Sequence, residues 1–80
     1  MMTDKSNKRR RIIKECIRIC NSQITLIETT KGESIRLDEI QKLLNKNISE
    51  FEEMGVTFKE SEKNRIQYEL TQRLVKVAEE

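Results

Sequence analysis

Apolar residues in the first third of the chain recur every three or four positions, which is the spacing of one face of an α-helix. One stripe contains Ile13, Ile17, Cys20, Ile24 and Ile27, and a second stripe beside it contains Ile12, Cys16, Ile19 and Leu26. An apolar face of this width is typical of a helix that is covered on two sides. We therefore expect the first helix to be the spine of the core.

Two further stripes follow, each at the same spacing. They contain Leu37, Ile40, Leu44, Ile48 and Phe51, and then Ile66, Leu70, Leu74 and Val77. The pairs Asp38/Gln41 and Thr57/Glu60 have the spacing of capping boxes, which predicts helix starts near Asp38 and Thr57. Gly55 should follow the end of the second helix, with Met54 as the last core position and a connection of about three residues. The pattern predicts an all-α fold, a small three-helix bundle.

One segment, residues 24–37, allows a different structure. It is rich in β-branched residues, and Lys31 with Gly32 has the composition of a turn. The alternative is therefore an α+β fold with a short β-hairpin in this segment. The helical stripe continues through Ile27, which favours the helix.

The size of the chain limits it to one folding unit, residues 1–80, with a basic N-terminal arm over about residues 1–11. So small a core rarely supplies much stability, which favours a partner. There is no histidine, and Cys16 and Cys20 lie four residues apart on the predicted helix. Such cysteines are poorly placed to bond each other and cannot complete a zinc site within one chain. We expect reduced, buried thiols; a disulfide or metal shared across a dimer is the alternative.

Charged residues interrupt the most apolar segment at Lys14, Glu15 and Arg18. A membrane span needs roughly 20 apolar residues, and a signal peptide needs an uninterrupted apolar core. The sequence therefore predicts neither, and a cytoplasmic location is expected, in agreement with reduced cysteines.

Positive charge is concentrated near the start of the chain. The first twenty residues carry two carboxylates against seven cations, a balance of +5, and the overall charge of +2 leaves −3 for the remainder. The cations are Lys5, Lys8, Arg9, Arg10, Arg11, Lys14 and Arg18. Cations near a helix N-terminus oppose the helix dipole, so we expect them to face something anionic. The two candidates are phosphates of a nucleic acid and the chain's own glutamates at the end of the second helix and the start of the third, which are Glu50, Glu52, Glu53, Glu60 and Glu62.

Sequence-selective binding of nucleic acid has little support. The three aromatic residues are not interleaved with the cations, so they offer no stacking platform for single strands. A helix-turn-helix would require the second helix to break near residues 45–47, where no glycine is present. Nucleic-acid binding would therefore consist mainly of phosphate contacts made by the seven cations.

Groups that catalyse reactions near neutral pH are scarce, because the chain has no histidine and no glycine-rich phosphate loop. We expect no enzymatic activity, cofactor, metal or small-molecule substrate. The sequence favours a small helical interaction or regulatory protein, either a homodimer or an adaptor or inhibitor that docks on a larger protein. The predicted interface is the second stripe, Ile12, Cys16, Ile19 and Leu26. The alternative is a nucleic-acid-binding protein that uses the basic segment.

Overall fold

The computed structural model is a bundle of three α-helices. It describes the backbone of residues 2–79 and the side chains of residues 7–72 and 74. The helices are α1 (Met2–Lys31), α2 (Leu37–Glu53) and α3 (Glu60–Glu79). The predicted all-α fold is confirmed. No strand occurs within residues 2–79, so the hairpin alternative for residues 24–37 is wrong: α1 continues to Lys31, and the basic segment also lies within this helix.

Helix α1 is the spine of the bundle, as predicted. Its 30 residues make it about 45 Å long, and both shorter helices pack against it. The core consists of Ile13, Cys16, Cys20, Ile24, Ile35, Ile40, Leu44, Ile48, Phe51, Phe58, Ile66 and Leu70. Helix α1 supplies four of these residues, and it borders one groove beside α3 and another beside the connection between α2 and α3.

Two glycines end the first two helices in the left-handed conformation, which favours residues without a Cβ. Gly55 has φ of +90°, and its N–H donates to the carbonyl of Glu52 at 3.0 Å while the N–H of Val56 donates to Phe51 at 2.9 Å. Gly32 has φ of +74° and donates to the carbonyl of Glu28 at 2.8 Å. The predicted end of α2 before Gly55 is thus confirmed.

Helix α2 begins at Leu37, which confirms the predicted start near Asp38, whereas α3 begins at Glu60, later than expected. The residues that cap both helices differ from the prediction. Glu39 accepts the backbone N–H of Arg36 at 3.1 Å, and Glu62 accepts that of Lys59 at 2.8 Å. The expected pairs Asp38/Gln41 and Thr57/Glu60 do not act as these caps. The reason lies in the tertiary structure. Ile35 directly precedes Arg36, and Phe58 directly precedes Lys59; both are buried and attach the chain to the core at these points. The connection between α2 and α3 is consequently residues 54–59, longer than expected.

Both ends of α2 are more exposed than its stripe predicted. Leu37 is 49% exposed and Met54 is 70% exposed, so neither is a core residue. Residues outside the helices take their places: Ile35 and Phe58 are buried, and Val56 packs against the core. The expected stripe residue Val77 lies outside the described side chains.

Candidate interaction surfaces of α1

The basic segment does not form a single surface, because successive residues of a helix are rotated by about 100°. Lys8 lies beside Gly55 and Val56, near the connection between α2 and α3. Arg10 and Lys14 border the groove between α1 and α3 instead. The seven predicted cations are therefore divided between different sides of α1, and the side chain of Lys5 is outside the described residues.

Arg9 is held against the surface of α3 and the connection before it, with its side chain 37% exposed. Its Nε donates to Oε2 of Glu62 at 3.0 Å, and its terminal nitrogen donates to Oε1 of Glu62 and to the carbonyl of Thr57 at 3.0 Å. The guanidinium carbon also lies 5.9 Å from the centre of the Phe58 ring, within range of a cation–π contact. Internal neutralisation, one of the two predicted roles for the basic segment, is thus present for Arg9.

These contacts change the ionisation of both partners. The hydrogen bond with Glu62 raises the pKa of Arg9 above its ordinary value. The same hydrogen bond lowers the pKa of Glu62, whose side chain is only 14% exposed. Arg18 pairs with Glu15 one turn earlier on α1 and lowers the pKa of that carboxylate, but both side chains are exposed. This second pair belongs to the surface of the helix.

The remaining cations are available for contacts outside the chain. Lys8, Arg10, Arg11 and Lys14 are exposed, and within the described residues none of them forms an ion pair. Between α1 and α3 lies an open groove of about 570 Å³. It is lined by Arg10, Ile13, Lys14, Ile17, Arg65 and Glu69. We call this the α1–α3 groove.

The four residues of the predicted partner interface differ in their exposure. Cys16 has no exposed surface and belongs to the core, so it cannot contact a partner of the folded chain. Ile12 and Ile19 are partly buried against the core, whereas Leu26 is 66% exposed. The three lie seven residues apart, and a straight helix drifts by roughly 20° per heptad, which turns each later residue further from the core. We call Ile12, Ile19 and Leu26 the heptad face.

Two polar contacts of α1 were not predicted from the sequence. Asn47 is 2% exposed on α2, and its Nδ2 donates to Oε1 of Gln23 at 2.8 Å and to the carbonyl of Leu43 at 2.9 Å. Glu28, near the end of α1, accepts the backbone N–H of Ile35 at 2.9 Å. An asparagine between two members of the α2 stripe was the available signal for the first contact. The Gln23–Asn47 contact places α2 beside the heptad face.

The two cysteines are free and buried, in agreement with the predicted reduced thiols. The hydrogen bond with Cys16, and then burial, raises the pKa of the Cys20 thiol, while the same hydrogen bond lowers the pKa of Cys16. Neither sulfur is accessible for chemistry in the folded chain. Among the described residues, no group of three or more cysteine or acidic side chains is arranged to hold a metal ion.

Over the part of the chain that the structure describes, none of the helices has the length and apolar character that crossing a bilayer requires. Comparisons with protein-family models, with curated protein sequences and with solved structures give no match.

Proposed function

We propose that this protein is a binding module that associates through the heptad face of α1 and has no catalytic role. The observation that carries this proposal is Leu26, a large apolar side chain that is 66% exposed at the end of a partly buried apolar stripe. Ile19 and Ile12 lie on the same face, one and two heptads before Leu26. Exposed apolar surface that continues along an element is typical of a protein interface.

A second copy of the chain is the partner that the heptad face fits best. Apolar residues repeated every seven positions form a slowly winding stripe, which can pair with the equivalent stripe of another helix that wraps around it. The length of α1 favours such pairing, because its 30 residues exceed the 17 and 20 residues of the helices that pack against it. A homodimer would cover the surface that α2 leaves exposed. An adaptor or inhibitor role on a larger protein is the alternative use of the same face.

The test is the substitution Leu26→Glu, followed by light scattering on a size-exclusion column over a range of concentrations. We expect the parent chain to move from the 9.5 kDa monomer toward twice that mass as concentration rises. Covering Leu26 is worth about 1 kcal/mol per copy, and both copies lose it, so the dimer should weaken by at least about tenfold.

The matched control is Tyr68→Glu, since Tyr68 is 62% exposed on α3 and lies outside the heptad face. It introduces the same charge at a similarly exposed residue and should leave the dimer unchanged. Far-UV circular dichroism should show folded helices in both variants. A parent chain that stays monomeric at high concentration, or equal weakening by both variants, would contradict self-association through this face.

Nucleic-acid binding is the second candidate function, and one observation supports it. Arg10, Arg11 and Lys14 are exposed on α1, and none has an ion-pair partner among the described residues. Exposed cations without an ion-pair partner can bind phosphates of a nucleic acid and release the counterions around them. Arg9 is unsuitable for this role, because its guanidinium is already bound by Glu62.

The corresponding experiment changes Arg10, Arg11 and Lys14 together to Ala and measures binding to a DNA duplex by fluorescence anisotropy at low and high salt. This candidate predicts that the parent binds and that affinity falls with salt and with the triple change. Affinity that is unaffected by the triple change would exclude it. Leaving Arg9 intact ensures that the variant retains the contact between α1 and α3.

A further inference from the structure

The α1–α3 groove has an apolar floor, a positively charged side on α1 and a side on α3 with one cation and one carboxylate. Ile13 and Ile17 form the floor, with Ile17 partly buried and Ile13 8% exposed. Arg10 and Lys14 stand on the α1 side, and Arg65 stands on the α3 side. This surface lies on the side of α1 away from α2, so it is separate from the heptad face.

The charge of the groove is unbalanced. Three exposed cations line it against a single carboxylate, Glu69. No ion pair joins Glu69 to any of these cations within the described residues. An occupant that matches the groove therefore carries net negative charge, chiefly toward Arg10 and Lys14, and apolar groups toward the floor.

We propose that the α1–α3 groove binds an acidic amphipathic helix of a partner protein. Such a helix carries apolar residues at i, i+3 or i+4, and i+7, which can lie along the floor, with carboxylates on each side. The two walls are the first and third helices of an up-down-up bundle, so a fourth helix in the groove would complete a four-helix arrangement. The proposal goes beyond the heptad face and does not depend on the chain being a dimer.

A protein helix fits this groove better than a nucleic-acid duplex does. A phosphate backbone would satisfy the cations but would leave Ile17 without an apolar contact. Glu69 would also repel the phosphates, whereas a peptide can place a neutral or basic side chain opposite this carboxylate. Binding should therefore require both the acidic residues and the apolar stripe of the ligand.

The probe is a fluorescein-labelled, designed helical peptide of about 18 residues with leucines at helical spacing and glutamates on both flanks. One control peptide has the same composition in an order that breaks the leucine stripe, and a second has lysine in place of glutamate. Anisotropy titrations would use the full chain and the variants Lys14→Glu, Arg65→Glu and Glu69→Gln. Lys42→Glu, at an exposed cation of α2, is the matched charge control.

We expect the acidic amphipathic peptide to bind the parent and Lys42→Glu equally, and to lose about tenfold in affinity with either Lys14→Glu or Arg65→Glu. Glu69→Gln should strengthen binding about threefold, because it removes the one carboxylate of the groove. Both control peptides should bind at least about tenfold more weakly. Thermal unfolding should show that all variants fold, since the substituted side chains are exposed.

Four results would overturn the proposal. They are no binding of the acidic amphipathic peptide, equal binding of the peptide with the broken stripe, an equal loss with Lys42→Glu, and tighter binding of a DNA duplex with the same dependence on Lys14 and Arg65. The last result would assign the groove to nucleic acid. None of them would alter the outcome of Leu26→Glu on self-association, so the two proposals are tested separately.

Discussion

The starts of α2 and α3 use the same local arrangement but differ in their tertiary surroundings. At each start a glutamate, Glu39 or Glu62, accepts the backbone N–H of the basic residue three positions earlier. Each glutamate also binds a cation of α1, which is Lys31 for Glu39 and Arg9 for Glu62. Both ends of α1 are thus joined to the first turn of a neighbouring helix.

The two joints differ in burial and in the shape of the cation. Glu39 is 25% exposed and binds a flexible lysine, whereas Glu62 is 14% exposed and receives two nitrogens of a planar guanidinium. Arg9 is further placed against Phe58, which meets Phe51 edge to face at 5.5 Å and 74°. A two-point contact supported by an aromatic ring loses less side-chain entropy than a lysine pair does. The joint at α3 should therefore stabilise the bundle more.

Replacing each glutamate by alanine tests whether the contact at α3 stabilises the bundle more than the contact at α2, and it has the largest expected effect on stability. Glu62→Ala removes the acceptor of Arg9 and of the Lys59 N–H, and should lower the free energy of unfolding by about 1 to 2 kcal/mol. Glu39→Ala should cost less, because its cation is more exposed. Urea unfolding followed by circular dichroism measures both. Glu60→Ala, an exposed acidic residue in the same turn of α3, is the control. An equal or greater cost for Glu39→Ala would contradict the comparison.

The pH dependence of the free energy of unfolding gives a second test of the Arg9–Glu62 contact, with a smaller expected effect. The hydrogen bond from Arg9 lowers the pKa of Glu62 below its ordinary value of 4.5, so its stabilising contribution is present above about pH 4.5 and is lost as pH falls through the lowered value. Glu62→Gln lacks this titration. The difference in unfolding free energy between the parent and Glu62→Gln should therefore be largest near neutral pH and should shrink toward about pH 3. A difference that stays constant over this range would show that the charge of Glu62 is unimportant.

The stripes in the sequence did not show which residues of α1 remain exposed, because this depends on how the other helices cover them. The second stripe of α1 predicted one interface, but α2 and α3 cover Cys16 completely and leave Leu26 mostly exposed. In the same way, the basic segment predicted one cationic arm, but the rotation of the helix sends Arg9 to Glu62 and Arg10 toward the α1–α3 groove. A stripe in the sequence indicates which side of a helix is apolar or charged. The position of the neighbouring helices decides which residues of that stripe remain accessible.

Local chemistry in the sequence determined the three helices, their order, the end of α2 before Gly55 and the burial of Phe51, because periodicity and a left-handed glycine act within a few residues. Only the tertiary structure decided which glutamates cap α2 and α3, that Asn47 is buried against Gln23, and that Arg9 is structural while its neighbours are exposed. Each of these depends on residues distant in the chain. Their proximity is set by packing around α1, which the local pattern does not contain.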